Sequence, residues 1–139
     1  LRGTEFNALD VGTGSGILAI ALVKLGAKEV LALDVDPVAL KVARENLRCN
    51  YVEKNVHLSE AKLGRSRRSF PVVVANLTAE TIVDLAGPLK GKVAPKGFLI
   101  LSGILNPKSE GVIDQLRPDF KVMRRKREKE WMTLLLHRR

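Results

Sequence analysis

Short apolar runs alternate along this chain with segments whose apolar residues recur at helical spacing. The strand-like runs cover residues 6–11, 29–33, 56–58, 71–75 and 97–101, and helical segments at 15–25, 36–49, 78–93 and 109–116 follow all but the third. Because neighbouring parallel strands need a long crossover, which is usually a helix, this alternation predicts an α/β domain around a mainly parallel sheet. Runs at 120–123 and 131–136, joined by a charged turn at 126–129, predict a C-terminal antiparallel hairpin.

Local signals mark where the helical segments begin and where one of them breaks. Asp36 followed by Pro37 is typical of an N-cap and the first helical position, and Thr78 can cap the third helical segment. Gly87 and Pro88 interrupt that segment. We therefore expect a kink or two short helices there.

Composition limits the class of protein. The chain has 139 residues, of which 45% are hydrophobic, enough for one domain with a single core. No apolar run approaches the roughly 20 residues of a membrane-spanning helix, and the N-terminus lacks the plan of a signal peptide, so we expect a soluble, cytoplasmic protein. The lone Cys49 can form neither an internal disulfide nor a cysteine metal site, and its helical position favours packing.

The chain is basic, with a formal net charge of +9. Much of this charge lies late, in 121–129 and 138–139, and Arg65, Arg67 and Arg68 occupy a predicted loop. Such charge attracts polyanions at long range. Because no aromatic residue lies inside the late cluster, a solvated face that also blocks edge-to-edge aggregation is favoured over a dedicated nucleic-acid site.

A glycine-rich turn joins the first strand to the first helix, with Gly12, Gly14 and Gly16 after Asp10. Glycines there permit positive φ and let the backbone approach a ligand at the carboxyl edge of the sheet. A dinucleotide fingerprint would place its third glycine at position 17, which is Ile17. Taken alone, the turn is also compatible with a mere strand-to-helix connection.

An acid at the end of the second strand is the second element of a nucleoside site. Asp34 stands about 20 residues after the glycines, where a carboxylate can accept both ribose hydroxyls. Asp36 is the competitor, although its place before Pro37 suits a helix N-cap better.

Four segments together carry a resemblance to a known family. They are Leu9-Asp-Val-Gly-Thr-Gly-Ser-Gly-Ile-Leu18, Leu33-Asp-Val-Asp-Pro37, Ala75-Asn-Leu-Thr-Ala79 and Leu101-Ser-Gly-Ile-Leu105. They resemble the class I methyltransferase family that modifies bacterial ribosomal large-subunit protein eleven, as does Glu130-Trp131 before the last apolar run. The first two segments are common to most class I methyltransferases, whereas the last two are more particular to this family.

The resemblance implies a doubly wound, Rossmann-like, seven-stranded mixed sheet that ends in the antiparallel hairpin. It also implies S-adenosyl-L-methionine as cofactor and methyl transfer to amino groups of a ribosomal large-subunit protein. The basic surface separately suggests proximity to ribosomal RNA. By position, the loop 10–16 with Thr13 would hold the methionine moiety. Asp34 with Val35 would hold the nucleoside through its ribose hydroxyls, Ser59 and Glu60 would lie near adenine, and Asn76 would lie beside the reactive methyl group.

The role of Asn76 also has a physical argument. It ends the fourth strand at the same edge as the glycine turn, and its amide oxygen can accept a hydrogen bond from an amine. The alternative is a helix N-cap or a strand-end turn, for which asparagine is also favoured.

Other candidate groups carry weaker signals. His57 and His137 have no partner motif, so we expect structural or solvated histidines and no general base. Trp131 is expected to pack in the core, with the site entrance as the alternative. Carboxylates and histidines do not fall at ligand spacings, so no metal site is predicted.

Residues 1–139 are expected to form one S-adenosylmethionine-dependent catalytic domain. The N-terminal recognition domain of the family, and its linker segment that closes over the cofactor, are absent from this sequence. Three alternatives remain open: a class I methyltransferase acting on ribosomal RNA or a small molecule, a nicotinamide-dependent oxidoreductase, and a non-catalytic cofactor-binding or ribosome-associated module.

Overall fold

The computed structural model describes residues 5–64 and 67–139. Helices and strands alternate as the sequence predicts, and a short 3-10 helix, Asn106–Lys108, precedes the last α-helix. The strands are β1 (Phe6–Val11), β2 (Ala27–Leu33), β3 (Val56–Ser59), β4 (Phe70–Asn76), β5 (Val93–Leu105), β6 (Phe120–Glu128) and β7 (Trp131–Arg138). The helices are α1 (Ile17–Lys24), α2 (Pro37–Cys49), α3 (Ala79–Lys92) and α4 (Ser109–Leu116).

All seven strands form one sheet in the order β3-β2-β1-β4-β5-β7-β6. The first five strands of the chain run parallel, and β7 inserts antiparallel between β5 and β6. The expected doubly wound, mixed sheet with a C-terminal hairpin is thereby confirmed. Because the carboxyl ends of parallel strands meet at one edge, the residues after β1, β2 and β4 come together there.

Apolar residues fill both faces of the sheet. On one face α1 and α2 pack against the strands, with Ala19, Leu22 and Leu47 in the core beside Val30. On the other face α3 and α4 bring Ile82, Leu89, Ile113 and Leu116 against β4, β5 and β7. The sheet is therefore the middle layer of three, as a doubly wound fold requires.

The predicted caps are confirmed. The Asp36 carboxylate accepts a hydrogen bond from the Val38 backbone N–H at 2.9 Å, with Pro37 at the first helical position. The Thr78 hydroxyl accepts one from the Thr81 N–H at 3.3 Å. Each cap satisfies a backbone donor that the first turn of a helix leaves free.

At Gly87 and Pro88 the predicted alternative of two short helices is wrong, whereas a kink stays a prediction. Helix α3 is continuous and Pro88 lies inside it. Ala86 and Leu89 are buried in the core on the inner side of the helix, while Pro88 and Asp84 are exposed. Since proline removes the hydrogen bond to the carbonyl four residues earlier, the carbonyl left free belongs to Asp84, on the side where water can replace that bond.

The hairpin is longer than predicted. Strand β6 runs to Glu128, so residues 126–128 pair with β7 instead of forming the turn, and only Lys129, with φ +55°, and Glu130 connect the strands. Backbone pairing explains the difference, because it does not require apolar side chains.

The packing role predicted for Cys49 is also wrong, since the thiol is exposed at the end of α2. Arg65, assigned to a basic loop, lies outside the described residues, whereas Arg68 lies 4.7 Å from the Phe70 ring centroid. Among the described residues no helix combines the length and the hydropathy needed to cross a membrane.

Candidate functional site

The glycine turn folds back over the end of β2. Gly12, Gly14 and Gly16 have φ values of +72°, +56° and +86°. The backbone N–H groups of Gly12 and Thr13 both donate to the Leu33 carbonyl, each at 2.8 Å. The loop is thereby fixed at the carboxyl edge, next to the residue that follows β2.

The three glycines serve different purposes. A Cβ on Gly16 would lie 3.3 Å from the Ala43 Cβ, so this glycine permits close packing of the loop against α2. A Cβ on Gly12 would lie 2.7 Å from the Leu77 Cδ2. Gly14 faces open space, with no atom within 4 Å of its Cβ position. The loop therefore presents a bare backbone surface at Gly14, which a ligand can approach closely.

Asp34 holds the loop from the other side. One carboxylate oxygen, Oδ2, accepts from the Gly14 backbone N–H at 2.8 Å, and Oδ1 accepts from the Asp36 N–H at 3.0 Å. Each carboxylate oxygen has two lone pairs, so each retains one for a further donor. Asp36 is occupied by the α2 cap, which leaves Asp34 as the acid that faces the loop.

Asp10 lies beneath the loop with only 1% of its surface exposed. The Thr13 hydroxyl donates to its Oδ2 at 2.7 Å, whereas Oδ1 is buried without a hydrogen-bond partner in the described part of the chain. Burial raises the pKa of Asp10 to about 6, although the Thr13 hydroxyl and the Ala19 backbone N–H favour the charged form. The carboxylate is therefore ready to accept a donor or a positive charge.

A cavity of about 440 Å³ opens beside these residues. Gly12, Asp34 and Val35 line it from the loop and the end of β2. The rest of the lining, which the sequence did not predict, includes the segment 61–63, Leu77 before α3, and Thr81 and Leu85 within α3. Its volume lies within the range of small-molecule sites.

Ser59 lies at the end of β3 beside this site. Its carbonyl accepts from the Asp34 N–H at 3.1 Å, and its hydroxyl accepts from the Ala61 N–H at 3.0 Å. Ser59 lines a smaller neighbouring cavity of about 180 Å³, which shares the segment 61–63 with the larger one. Glu60 is exposed and lines neither cavity. A contact of Ser59 or Glu60 with adenine stays a prediction.

Asn76 ends β4 at the same edge and pairs with Ser102 of β5. It is exposed, and its carboxamide makes no hydrogen bond with any described residue. The helix cap is Thr78, so the alternative of an N-cap role for Asn76 does not hold. Its side chain is thus available to a ligand.

The other candidates do not line the 440 Å³ cavity. Trp131 is 47% exposed and pairs with Leu105, so the prediction of core packing is wrong and the residue lies at the carboxyl edge of β5. His137 lies within 2.9 Å of the Lys96 carbonyl oxygen and packs on Phe98, while His57 is exposed. Over residues 5–64 and 67–139, no group of three or more potential ligands could hold a metal ion.

Known proteins resemble this chain over its whole length. The sequence model of the family described as "Ribosomal protein L11 methyltransferase (PrmA)" matches residues 1–139. A ribosomal protein L11 methyltransferase from Geobacter metallireducens is 48% identical over 134 residues, which are 96% of this chain and 44% of that protein. The chain thus spans about two fifths of the length of the curated relatives it matches.

Solved structures share the fold. A ribosomal protein L11 methylase from Lactobacillus delbrueckii subsp. bulgaricus superimposes with a TM-score of 0.93 at 34% identity, over 99% of this chain and 72% of that one. An RNA methyltransferase from Salinibacter ruber, in complex with S-adenosyl-L-homocysteine, has a TM-score of 0.76 at 18% identity, over 95% of this chain and 80% of that one. The second likeness concerns the fold alone.

Proposed function

Because this chain belongs to the ribosomal protein L11 methyltransferase family, we propose that it binds S-adenosyl-L-methionine and transfers methyl groups to amino groups of a ribosomal large-subunit protein. The proposed place of action is the cytoplasm, where ribosomes are assembled. The observation that carries the proposal is the hydrogen bond from the Gly14 backbone N–H to the carboxylate of Asp34, a residue that lines the 440 Å³ cavity.

The residues of the site suit this cofactor. Gly14 has no side chain and faces open space, so a ligand can approach its backbone closely. Each carboxylate oxygen of Asp34 keeps one lone pair, which can accept a hydrogen bond from a ribose hydroxyl. Val35 is 70% exposed and lines the cavity as an apolar surface for the nucleoside. The buried Asp10 and Thr13 support the loop beneath the methionine end, where the unpartnered Oδ1 favours a positively charged group.

The protein's part in catalysis is chiefly positioning. When bound, the cofactor supplies an electrophilic methyl group on a positively charged sulfur, and its leaving thioether is neutral. Asn76 lies at the end of β4, next in the sheet to β1 and its glycine loop, and its Oδ1 can accept a hydrogen bond from an acceptor amine. Holding the amine in line with the methyl group can contribute several kcal/mol.

The acceptor amine must be neutral to react, whereas a lysine carries its proton at neutral pH. Desolvation lowers the pKa of an amine, and the Asn76 carboxamide can accept a hydrogen bond without adding a charge. Among the described residues, neither histidine lies with Asn76 at the end of β4. We therefore assign Asn76 to orienting the neutral amine rather than to removing its proton.

Calorimetric titration tests the cofactor. The wild-type protein and the variants Asp34→Ala and Asp36→Ala are titrated with S-adenosylmethionine, S-adenosylhomocysteine and NAD. We expect Asp34→Ala to weaken both sulfur nucleotides by roughly 100-fold, since two hydrogen bonds to a charged acceptor are lost. Asp36→Ala is the matched control, which loses a helix cap but no ligand contact. Tight NAD binding without a response to the sulfonium nucleotide would refute the proposal and favour an oxidoreductase.

Methyl incorporation tests the acceptor and the bond formed. Labelled methyl groups are offered with ribosomal protein L11, ribosomal RNA or small amines, and the product is hydrolysed to identify methylated nitrogen. We expect label on protein amines, with a turnover rate that falls in Asn76→Ala while cofactor affinity is kept. Label only in RNA would support the second candidate, an RNA methyltransferase. Binding without turnover on any acceptor would support a non-catalytic module.

A specific observation also favours proximity to ribosomal RNA. Lys121, Arg124 and Lys126 of β6 are exposed and form no ion pair with described residues. Their β7 partners His137, Leu135 and Thr133 alternate along that strand, so the three cations share one face of the edge strand. Such a row can attract phosphates without base-specific contacts.

A further inference from the structure

We infer that Gly103 is a positioning residue, whose missing side chain sets the place of the Asn76 carboxamide. This inference rests on the proposed function, because it concerns the residue that would orient the acceptor amine. It assigns a role to the Leu101-Ser-Gly-Ile-Leu105 segment, which the cofactor site does not use.

The backbones of the two residues are locked together. Asn76 pairs with Ser102 in the parallel ladder of β4 and β5, and the next N–H, that of Leu77, donates to the Ser102 carbonyl at 3.0 Å. Gly103 follows directly, with φ +82°, and the pairing of β5 with β7 is irregular between Leu101 and Ile104. The local irregularity therefore lies immediately beside Asn76.

The direction of the absent side chain is the decisive observation. A Cβ on Gly103 would lie 2.5 Å from the Asn76 Oδ1, 3.0 Å from the Leu77 carbonyl oxygen and 3.3 Å from the Leu77 nitrogen. Real Cβ atoms do not approach other atoms to 2.5 Å. The two Leu77 atoms belong to the backbone that the ladder fixes, so a side chain at position 103 displaces chiefly the Asn76 carboxamide.

Hydrogen bonds to the described residues do not hold the carboxamide in place. It makes no hydrogen bond with any described residue, and it is exposed. Its orientation therefore depends on the shape of the surface beneath it, which Gly103 supplies. Because a displacement of about 1 Å can slow an aligned reaction by roughly 100-fold, the smallest added group, a methyl, is enough to matter.

Gly26 provides a matched control. Its φ is +116°, so replacement by alanine is strained as it is at Gly103, but its Cβ would meet only Phe6 at an ordinary 3.9 Å. Gly26 lies between α1 and β2, at the end of the sheet opposite the site. A difference between Gly103→Ala and Gly26→Ala therefore isolates the effect on Asn76 from backbone strain.

The test uses the intact protein that carries residues 1–139, with S-adenosylmethionine and ribosomal protein L11. We expect Gly103→Ala to lower kcat by roughly 10- to 100-fold and to leave the Kd of the cofactor within about twofold. Gly26→Ala should keep kcat within about twofold. In an Asn76→Ala background, Gly103→Ala should lower kcat by no more than about twofold further, since both changes act on one group. An unchanged kcat in Gly103→Ala, or a loss that persists in full in that background, would overturn the inference.

A second readout is independent of turnover. The two side-chain N–H signals of Asn76, identified by their loss in Asn76→Ala, are followed by NMR. They should move in Gly103→Ala and stay in place in Gly26→Ala. If the wild-type protein transfers no methyl group, the proposed function fails, and these signals alone decide the present inference, which unmoved signals refute.

Discussion

Among single residues, Asp10 links the site to the stability of the fold. Its carboxylate is buried beneath the glycine loop, and the pKa rises from 3.8 to about 6 chiefly because burial penalises the charge. A charged carboxylate at this depth would suit the positively charged group of the proposed cofactor. When no such ligand is bound, the buried negative charge lowers the free energy of unfolding.

Because the charged form of Asp10 destabilises the fold, stability should depend on pH. Since the fold favours the neutral carboxyl, its stabilising contribution is complete below pH 3.8 and is lost as the pH rises through about 6. The loss amounts to about 3 kcal/mol. We expect the free energy of unfolding of Asp10→Asn, relative to wild type, to increase by roughly 2.5 kcal/mol between pH 4 and pH 7 in urea titrations, since part of the loss has already occurred at pH 4. The exposed Asp84→Asn is the control, and parallel curves for wild type and Asp10→Asn would contradict the account.

The sequence indicated which residues lie near the candidate site better than it indicated their contacts. Asp34 could be selected from position, because an acid at the end of a second parallel strand faces the turn after the first. Its bond to the Gly14 N–H depends on strand register and could not be read from the chain. The wall formed by Leu63 and Leu77 was missed because it joins distant segments, although Leu63 is an apolar residue in an otherwise basic stretch.

Among the elements, β6 illustrates how charge and position in the sheet are connected. Strand β6 is rich in charged residues and lies at the edge of the sheet. The more apolar β7 lies between β5 and β6 and pairs with both. Charged edges also discourage pairing with a second sheet. The same cations are suited both to protecting the edge and to binding phosphates.

Replacing the cation row of β6 distinguishes these roles. If Lys121, Arg124 and Lys126 contact RNA phosphates, changing all three to glutamine should lower the slope of log affinity against log salt by roughly 2 for single-stranded RNA, as measured by fluorescence anisotropy. The control changes Lys41, Arg44 and Lys54, which are exposed elsewhere, and removes the same charge. Equal effects of the two triple variants would show that net charge alone, rather than this row, attracts RNA.

Two elements show where local signals fail. Pro88 predicted a break, yet the burial of Ala86 and Leu89 keeps α3 helical and the lost hydrogen bond faces water. The sequence did not predict that β6 extends through 126–128, because a run of charged residues is typical of a turn. These residues pair with β7 through backbone groups, which do not depend on the charge of the side chains. In both cases tertiary contacts outweigh the local preference.

At the scale of the whole molecule, the sheet separates two hydrophobic cores. Ile82 of α3 belongs to one and Val30 of β2 to the other, and both are fully buried. The alternation of strands and helices predicted such a doubly wound fold from sequence. The insertion of β7 between β5 and β6 could not follow from alternation, because either strand of a hairpin can pair with the sheet.

This separation predicts additive effects on stability. We expect Ile82→Ala to lower the free energy of unfolding by about 2–5 kcal/mol and Val30→Ala to lower it by somewhat less, as each leaves a cavity. The double variant should lose the sum of the two within about 0.5 kcal/mol, because the sites share no partners. Urea unfolding of the four proteins measures this, with the 70% exposed Val38→Ala as a control. A large departure from additivity would mean that the sheet transmits strain between its faces.

The hydrogen bonds that tie the glycine loop to Leu33 and Asp34 have a further consequence for how a ligand is received. They exist within the protein itself, so the loop has its shape before any encounter. A ligand that enters loses its own freedom of motion but does not have to immobilise the loop. A larger part of the free energy of each new contact then contributes to affinity. Because it is preorganised in this way, a short turn with few side chains can bind a ligand without a change in its own conformation.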